Sequence, residues 1–176
     1  MTITLDGTAG MTAPVGAIYN GLQTGTLTSA TGSAVLFSSI PLWVKRITIL
    51  FQGVSLSGTD EYLIQIGSGT LTTSGYTSAA IAAQSGALSS GAGTSTSGFL
   101  ASAGLASGAY IVTGSVELYY VAGNAWISRG LITTTTGARA CMSSGSITLS
   151  GSLDRVSITN TGASTFDAGS FNIIYE

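Results

Sequence analysis

The chain has no histidine, one cysteine, two prolines, and only five basic and seven acidic residues among 176. Each shortage closes a class of function. Without histidine there is no Ser-His-Asp triad. With one thiol and no imidazole there is no zinc site of the cysteine–histidine kind. Five basic residues and a net charge of −2 do not neutralise a phosphate backbone, so nucleic acid is not an expected partner. Cys141 alone forms no internal disulfide. It reads as a small buried thiol, because only Arg139 lies near it in sequence and no imidazole is present to activate it. The longest strongly apolar run, residues 47–51, falls far short of the roughly 20 residues of a spanning helix. The N-terminus lacks the basic, apolar and cleavage regions of a signal peptide. A membrane is therefore not an expected partner either.

What the chain does have is small residues. Gly (25), Ser (26), Thr (25) and Ala (21) make up more than half of it. This is not the signature of disorder, which couples low hydrophobicity to high net charge; here 44% of residues are apolar. A surface of Ser, Thr and Ala with few charges is poorly protected against association. It suits a subunit partly covered by other chains.

Helix formers are scarce, and short β-branched or aromatic runs between Gly, Ser, Asn and Asp are frequent. Residues 34–38 predict a short strand. Residues 42–52 predict the best strand of the chain, with Trp43, Ile47, Ile49 and Phe51 sharing one face by the two-residue period. Residues 62–66 follow after the turn-like segment 57–60. Residues 109–121 place Val112, Val116, Leu118 and Tyr120 on one face and Ser115, Glu117 and Tyr119 on the other. The turn 122–124 returns the chain through residues 125–134 as a β-hairpin. Residues 146–149, 153–159 and 168–175 complete the set, with Phe171, Ile173 and Tyr175 on one face. About nine strands without intervening helices predict an all-β fold: an antiparallel β-sandwich, jelly-roll-like.

Two regions read differently. Residues 67–98 are mostly Gly, Ser, Thr and Ala, and are expected to form a surface excursion with one weak strand or helical turn near 79–83. Residues 1–33 carry too few apolar side chains for a core and are expected to be an extended N-terminal arm. The sandwich domain then covers 34–176. Ile3, Leu5, Val15 and Ile18 are the arm residues expected to dock on an assembly, its backbone extending a neighbouring sheet. Trp43, Ile47, Phe51, Val116 and Phe171 are expected in the core or at a seam between copies.

No constellation carries catalysis, a cofactor or a metal. Asp60-Glu61 is the one adjacent acidic pair, but nothing nearby completes the six to eight oxygens of a calcium site; it reads as a solvated turn. Asp154-Arg155 reads as a local surface pair. Lys45 and Arg46 point to opposite faces of a strand and form no basic patch. Nothing brings two carboxylates together for glycoside hydrolysis, and both the Gly-x-Ser-x-Gly and Gly-x-Gly-x-x-Gly motifs are missing. The chain is not expected to be an enzyme. Tyr120 and Trp126 should pack across the hairpin, leaving Tyr119 and Asn124 as the candidate exposed contact.

Residues 40–59, IPLWVKRITILFQGVSLSGT, resemble a segment common in structural proteins of tailed bacteriophages. There an Ile-Pro approach leads into a Lys-Arg-Ile-Thr strand and a Gly-Val-Ser turn. YLIQIG (62–67), TSGY (73–76), LDRVSIT (153–159) and TFDAGSFNIIYE (165–176) fit the same pattern in the same order. The opening MTITLDGT (1–8) is similar to the start of many phage fibre and virion surface proteins. The resemblance spans residues 1–12 and most of 40–176. It implies a trimeric β-sandwich knob displayed on a virion and assembled in the bacterial cytoplasm, with the major capsid protein or another virion component as partner. The chain lacks heptads and shaft repeats, which favours a short knob: a capsid decoration (cement) protein or a short head fibre. The alternative is a short tail-fibre or receptor-binding tip that recognises a host surface glycan or protein through residues 67–98 and the Asn124 turn.

Overall fold

The computed structural model describes residues 4–6, 10–12, 21–84, 87–105, 108–135 and 138–176. Alternating apolar positions between Gly-, Ser- and Asp-rich turns give sixteen strands and no helix among them. In chain order these are β1 (Thr4–Asp6), β2 (Gly10–Thr12), β3 (Gln23–Thr24), β4 (Thr28–Ser29), β5 (Val35–Ser38), β6 (Arg46–Leu56), β7 (Tyr62–Ser68) and β8 (Thr70–Leu71). The series continues with β9 (Thr77–Gln84), β10 (Ala87–Ser95), β11 (Phe99–Leu100), β12 (Val112–Tyr120), β13 (Ala125–Thr134), β14 (Arg139–Thr148), β15 (Arg155–Asn160) and β16 (Phe166–Tyr175).

The larger sheet runs β10-β9-β14-β13-β12-β6-β16, with β3 and β4 both paired to β16. The smaller runs β11-β7-β15-β5, with β8 also on β7. Strands β1 and β2 form a separate two-stranded ladder. The two main sheets pack face to face as an antiparallel β-sandwich, as expected. Aromatic contacts tie the layers. Phe51 meets Phe171 edge-on at 5.0 Å and Tyr62, from the opposite sheet, at 5.7 Å. Tyr62 lies over Phe166 at 6.1 Å and donates its hydroxyl to the Val54 carbonyl at 3.1 Å. Ile47, Phe51, Val116 and Phe171 are all buried between the sheets. Burial of each such side chain contributes about 1.5–3 kcal/mol.

The strand expected over 42–52 begins at Arg46 and extends to Leu56. Residues 41–44 form a turn closed by the Val44 N–H on the Pro41 carbonyl, 3.1 Å. Trp43 therefore sits before the strand. It is half-buried and tilted against Tyr175 at 6.1 Å rather than within the core. At the far end, alternation breaks at Gly53, whose φ is +63°. It faces Gly169 (φ +85°), where a Cβ would lie 2.4 Å from the Gly53 carbonyl oxygen. This paired bulge resets the pleat, so Val54 and Leu56 follow Phe51 into the core.

Residues 67–98 are not a surface excursion. They hold β8, the β9–β10 hairpin and the turns between them, and β9 pairs with β14 along its whole length. The inward positions of β9 are Ser78, Ala80 and Ala82. Small residues fit there because the buried segment 99–105 passes close above: the Leu100 N–H donates to the Ser78 hydroxyl at 2.8 Å, and Ala80 shares a buried cluster with Leu100 and Ala103. Likewise the strand expected at 146–149 is the end of the longer β14.

The arm expected over 1–33 divides. Residues 23–32 belong to the sandwich edge: Gln23 and Thr24 pair with Tyr175 and Ile174, Thr28 and Ser29 pair with Phe171 and Ser170, and Gly32 bridges Phe166. Ala30 is 1% exposed. Of the docking residues, Leu5 lies on β1, while Ile3, Val15 and Ile18 fall outside the described residues.

Candidate functional site

Asp60, Glu61, Asp154 and Glu117 are each engaged by neighbouring donors within the fold. Asp60 accepts hydrogen bonds from the Ser164 N–H (2.8 Å) and hydroxyl (2.6 Å), which hold its carboxyl below the usual range. Glu61 accepts from the Ser102 hydroxyl at 2.5 Å and the Leu105 N–H at 2.8 Å, pinning the buried segment over β9. Asp60-Glu61 is thus a pair of loop anchors rather than a solvated turn. Asp154 binds Arg155 at 2.7 Å and also receives the Gly69 N–H, and both interactions lower its pKa. Lys45 and Arg46 diverge as expected: Lys45 Nζ sits 3.8 Å from the Tyr120 ring centroid, and Arg46 pairs with Glu176 at 2.5 Å. Cys141 is buried, and desolvation raises its pKa. No group of three or more His, Cys, Asp or Glu side chains converges among the described residues.

The hairpin β12–β13 closes at Gly123 and Asn124, both at positive φ (+52° and +64°), the conformation a tight hairpin turn demands. Tyr120 and Trp126 are partners across it, with rings edge-to-face at 5.6 Å. Tyr119 is half-buried on the outer face. Its hydroxyl donates to Glu117 Oε2 at 2.8 Å, which already receives Arg129 Nη2 at 2.6 Å. Tyr119 and Arg129 hold the Glu117 carboxyl below its usual range. Beside Asn124 lies a hollow of about 40 Å³ bounded by Lys45, Tyr120 and Trp126. That is room for a water molecule, not a sugar ring.

The distinctive surface lies elsewhere on the same sheet. The side of β9, β14 and β13 facing away from the core carries Ile81, Met142, Leu131 and Ile127, which are 49%, 49%, 56% and 45% exposed. The register puts Ile81 opposite Met142 and Met142 opposite Leu131, so three of them form one row across the strands. Between these knobs lie hollows. One of about 570 Å³ is floored by Ala79, Ser144 and Ser146 beside Ile127. One of about 510 Å³ lies between Leu131, Met142 and the Glu117–Arg129 pair, and one of about 290 Å³ beside Ile81. Arg129 leans toward Glu117 on β12, away from β14.

None of these four residues was singled out from the sequence. The signal was present in β13, where Ile127 and Leu131 alternate with inward Trp126 and Ile132. A strand apolar at both parities reads as buried on both faces. Compared with family models, curated proteins and solved structures, the chain matches none.

Proposed function

We infer that the chain is a structural subunit of a tailed-phage virion: a homotrimeric β-sandwich knob at the particle surface, serving as capsid decoration or as a short head fibre. The observation that carries this reading is the outer face of the larger sheet. Over β9, β14, β13 and β12 it presents a row of large apolar side chains, and the one acid and one base at the outward positions of those strands, Glu117 and Arg129, neutralise each other. Apolar faces of this kind mark contacts with other chains, and a face without free charge joins an assembly without leaving a charge buried and unpaired. The ordered phage-like segments at 40–59, 62–67, 73–76, 153–159 and 165–176 support the same reading. Its partners are further copies of the chain and the major capsid protein or another virion component. The buried thiol of Cys141 suits assembly in a reducing cytoplasm. Because residues 23–32 complete the sandwich edge, anchoring falls to residues 1–20. Deleting 1–20 is expected to leave a folded trimer that no longer joins particles. Particles that incorporate the truncated chain at the full-length level refute the anchor.

A further inference from the structure

We propose that the outer face of β9, β14 and β13 is the seam between copies of this chain. This rests on the structural-knob reading and names the surface that reading needs. Of the residues expected in the core or at a seam, Ile47, Phe51, Val116 and Phe171 are consumed by the core of a single copy, and Trp43 packs against that core. Among the described residues, exposed large apolar side chains line up across neighbouring strands in the row Ile81–Met142–Leu131, with Ile127 beside it.

Three observations select a second copy as the occupant. The first is area. The outer faces of β9, β14, β13 and β12, four adjacent strands of eight to ten residues, present about 600 Å² at ordinary strand spacing and rise. Two such faces together reach about 1,200 Å², the lower end of the range for a stable interface. The second is charge. The outward positions of β9, β14, β13 and β12 hold one acid and one base, joined at 2.6 Å. A strongly acidic or basic partner finds nothing to pair with there, whereas an equally neutral copy meets no repulsion. The third is relief. Apolar knobs alternate with hollows floored by Ala79, Ser144 and Ser146, the corrugation that lets two sheet faces interdigitate.

The test is the solution mass of the full-length chain by light scattering, for the wild type and two variants of equally exposed leucines. Leu131→Glu places a charge in the seam. Leu36→Glu, on the edge strand β5 where Leu36 is 52% exposed, controls for a general loss of apolar surface. The wild type and Leu36→Glu are expected to be oligomers, and Leu131→Glu to dissociate with a constant raised about 100-fold, the effect of losing an interface hot spot. Met142 oxidation by peroxide in the wild type reads the same seam without substitution: it should be slow in the oligomer and at least tenfold faster at dilutions that yield monomer. A Leu131→Glu oligomer of unchanged mass, or Met142 oxidation independent of dilution, overturns the seam while leaving the virion role standing. A wild type that is monomeric at every concentration overturns both the seam and the homotrimer. Protection of Met142 that vanishes on deleting residues 1–20, with the mass unchanged, overturns the seam in favour of the arm.

Discussion

Tyr76 is the clearest single test of how the sandwich is held. Its ring is 2% exposed and meets Phe99 edge-on at 4.9 Å. Its hydroxyl accepts the Ile66 N–H at 2.9 Å and lies within hydrogen-bond reach of the Thr72 carbonyl at 3.0 Å and the Ile66 carbonyl at 3.2 Å. Ile66 sits on β7 past the short ladder with β11, which ends at Ile64. The phenol thus stands where a neighbouring strand would. Tyr76→Phe keeps the ring and its packing and removes the hydroxyl. The Ile66 carbonyl retains the Thr72 N–H at 3.0 Å, so one buried N–H is orphaned, at a cost of about 1–3 kcal/mol. With the lost bond to Thr72, about 2 kcal/mol is expected. For a chain of this length that lowers Tm by about 4–8 °C. Urea unfolding should show a lower midpoint with an unchanged slope, since the surface exposed on unfolding is the same.

A second signature is alkaline. Burial pushes the Tyr76 hydroxyl up from 10.0 to about 12. A group whose folded value is raised stabilises the fold below its unfolded value and loses that contribution as pH rises through the folded one. Wild-type stability should therefore fall between about pH 10 and 12. Tyr76→Phe should fall less steeply, the remaining slope coming from Tyr62 and Cys141, which burial raises, and from Tyr119, which its bond to Glu117 raises. A Tyr76→Phe protein within about 0.5 kcal/mol of wild type, the range of an ordinary surface substitution, would show that the hydroxyl does not cap β7.

Three further outcomes are expected. Gly169→Ala sets a methyl group against the Gly53 carbonyl at a positive φ, and should cost more than about 1 kcal/mol in a urea titration; a neutral result removes the paired bulge. Asp60, Glu117 and Asp154 all have carboxyls held below their ordinary values, so they stabilise above about pH 4 and lose that effect as pH falls through their lowered folded values. The thermal midpoint of Asp60→Asn should accordingly fall less steeply than wild type on acidification, and parallel curves contradict its role as acceptor for Ser164. Glu61→Gln loses the charge-assisted bonds to Ser102 and Leu105, and should speed amide exchange in residues 99–105 more than in β12, as followed by mass spectrometry; uniform acceleration or none refutes the anchor.

Where large apolar residues alternate, sequence and structure agree. The β12–β13 hairpin and the inward faces of β6 and β16 follow from Val116, Leu118, Ile47, Ile49, Phe171 and Ile173. Where the core is built of small residues, periodicity is silent. Strand β9 buries Ser78, Ala80 and Ala82, which have little strand preference of their own and are buried because residues 99–105 lie over them. Strand ends were obscured by local devices: the Pro41 turn moved Trp43 out of β6, and the Gly53–Gly169 bulge inverted the parity beyond Phe51. The attachment of residues 23–32 is not legible in the sequence, because Gln23, Thr24, Thr28 and Ser29 dock through backbone bonds that carry no side-chain pattern. The candidate seam was partly legible in β13, but lining up Ile81, Met142 and Leu131 needs the β9–β14–β13 register, which local sequence does not encode.

The virion role is tested most directly on particles. Purified phage imaged by electron microscopy with a gold-labelled antibody against the sandwich domain should carry regularly spaced label. Label in large numbers over the head indicates decoration, and a few copies at one vertex or collar indicate a short fibre. Purified particles without label, from lysates in which the chain is abundant, contradict the account.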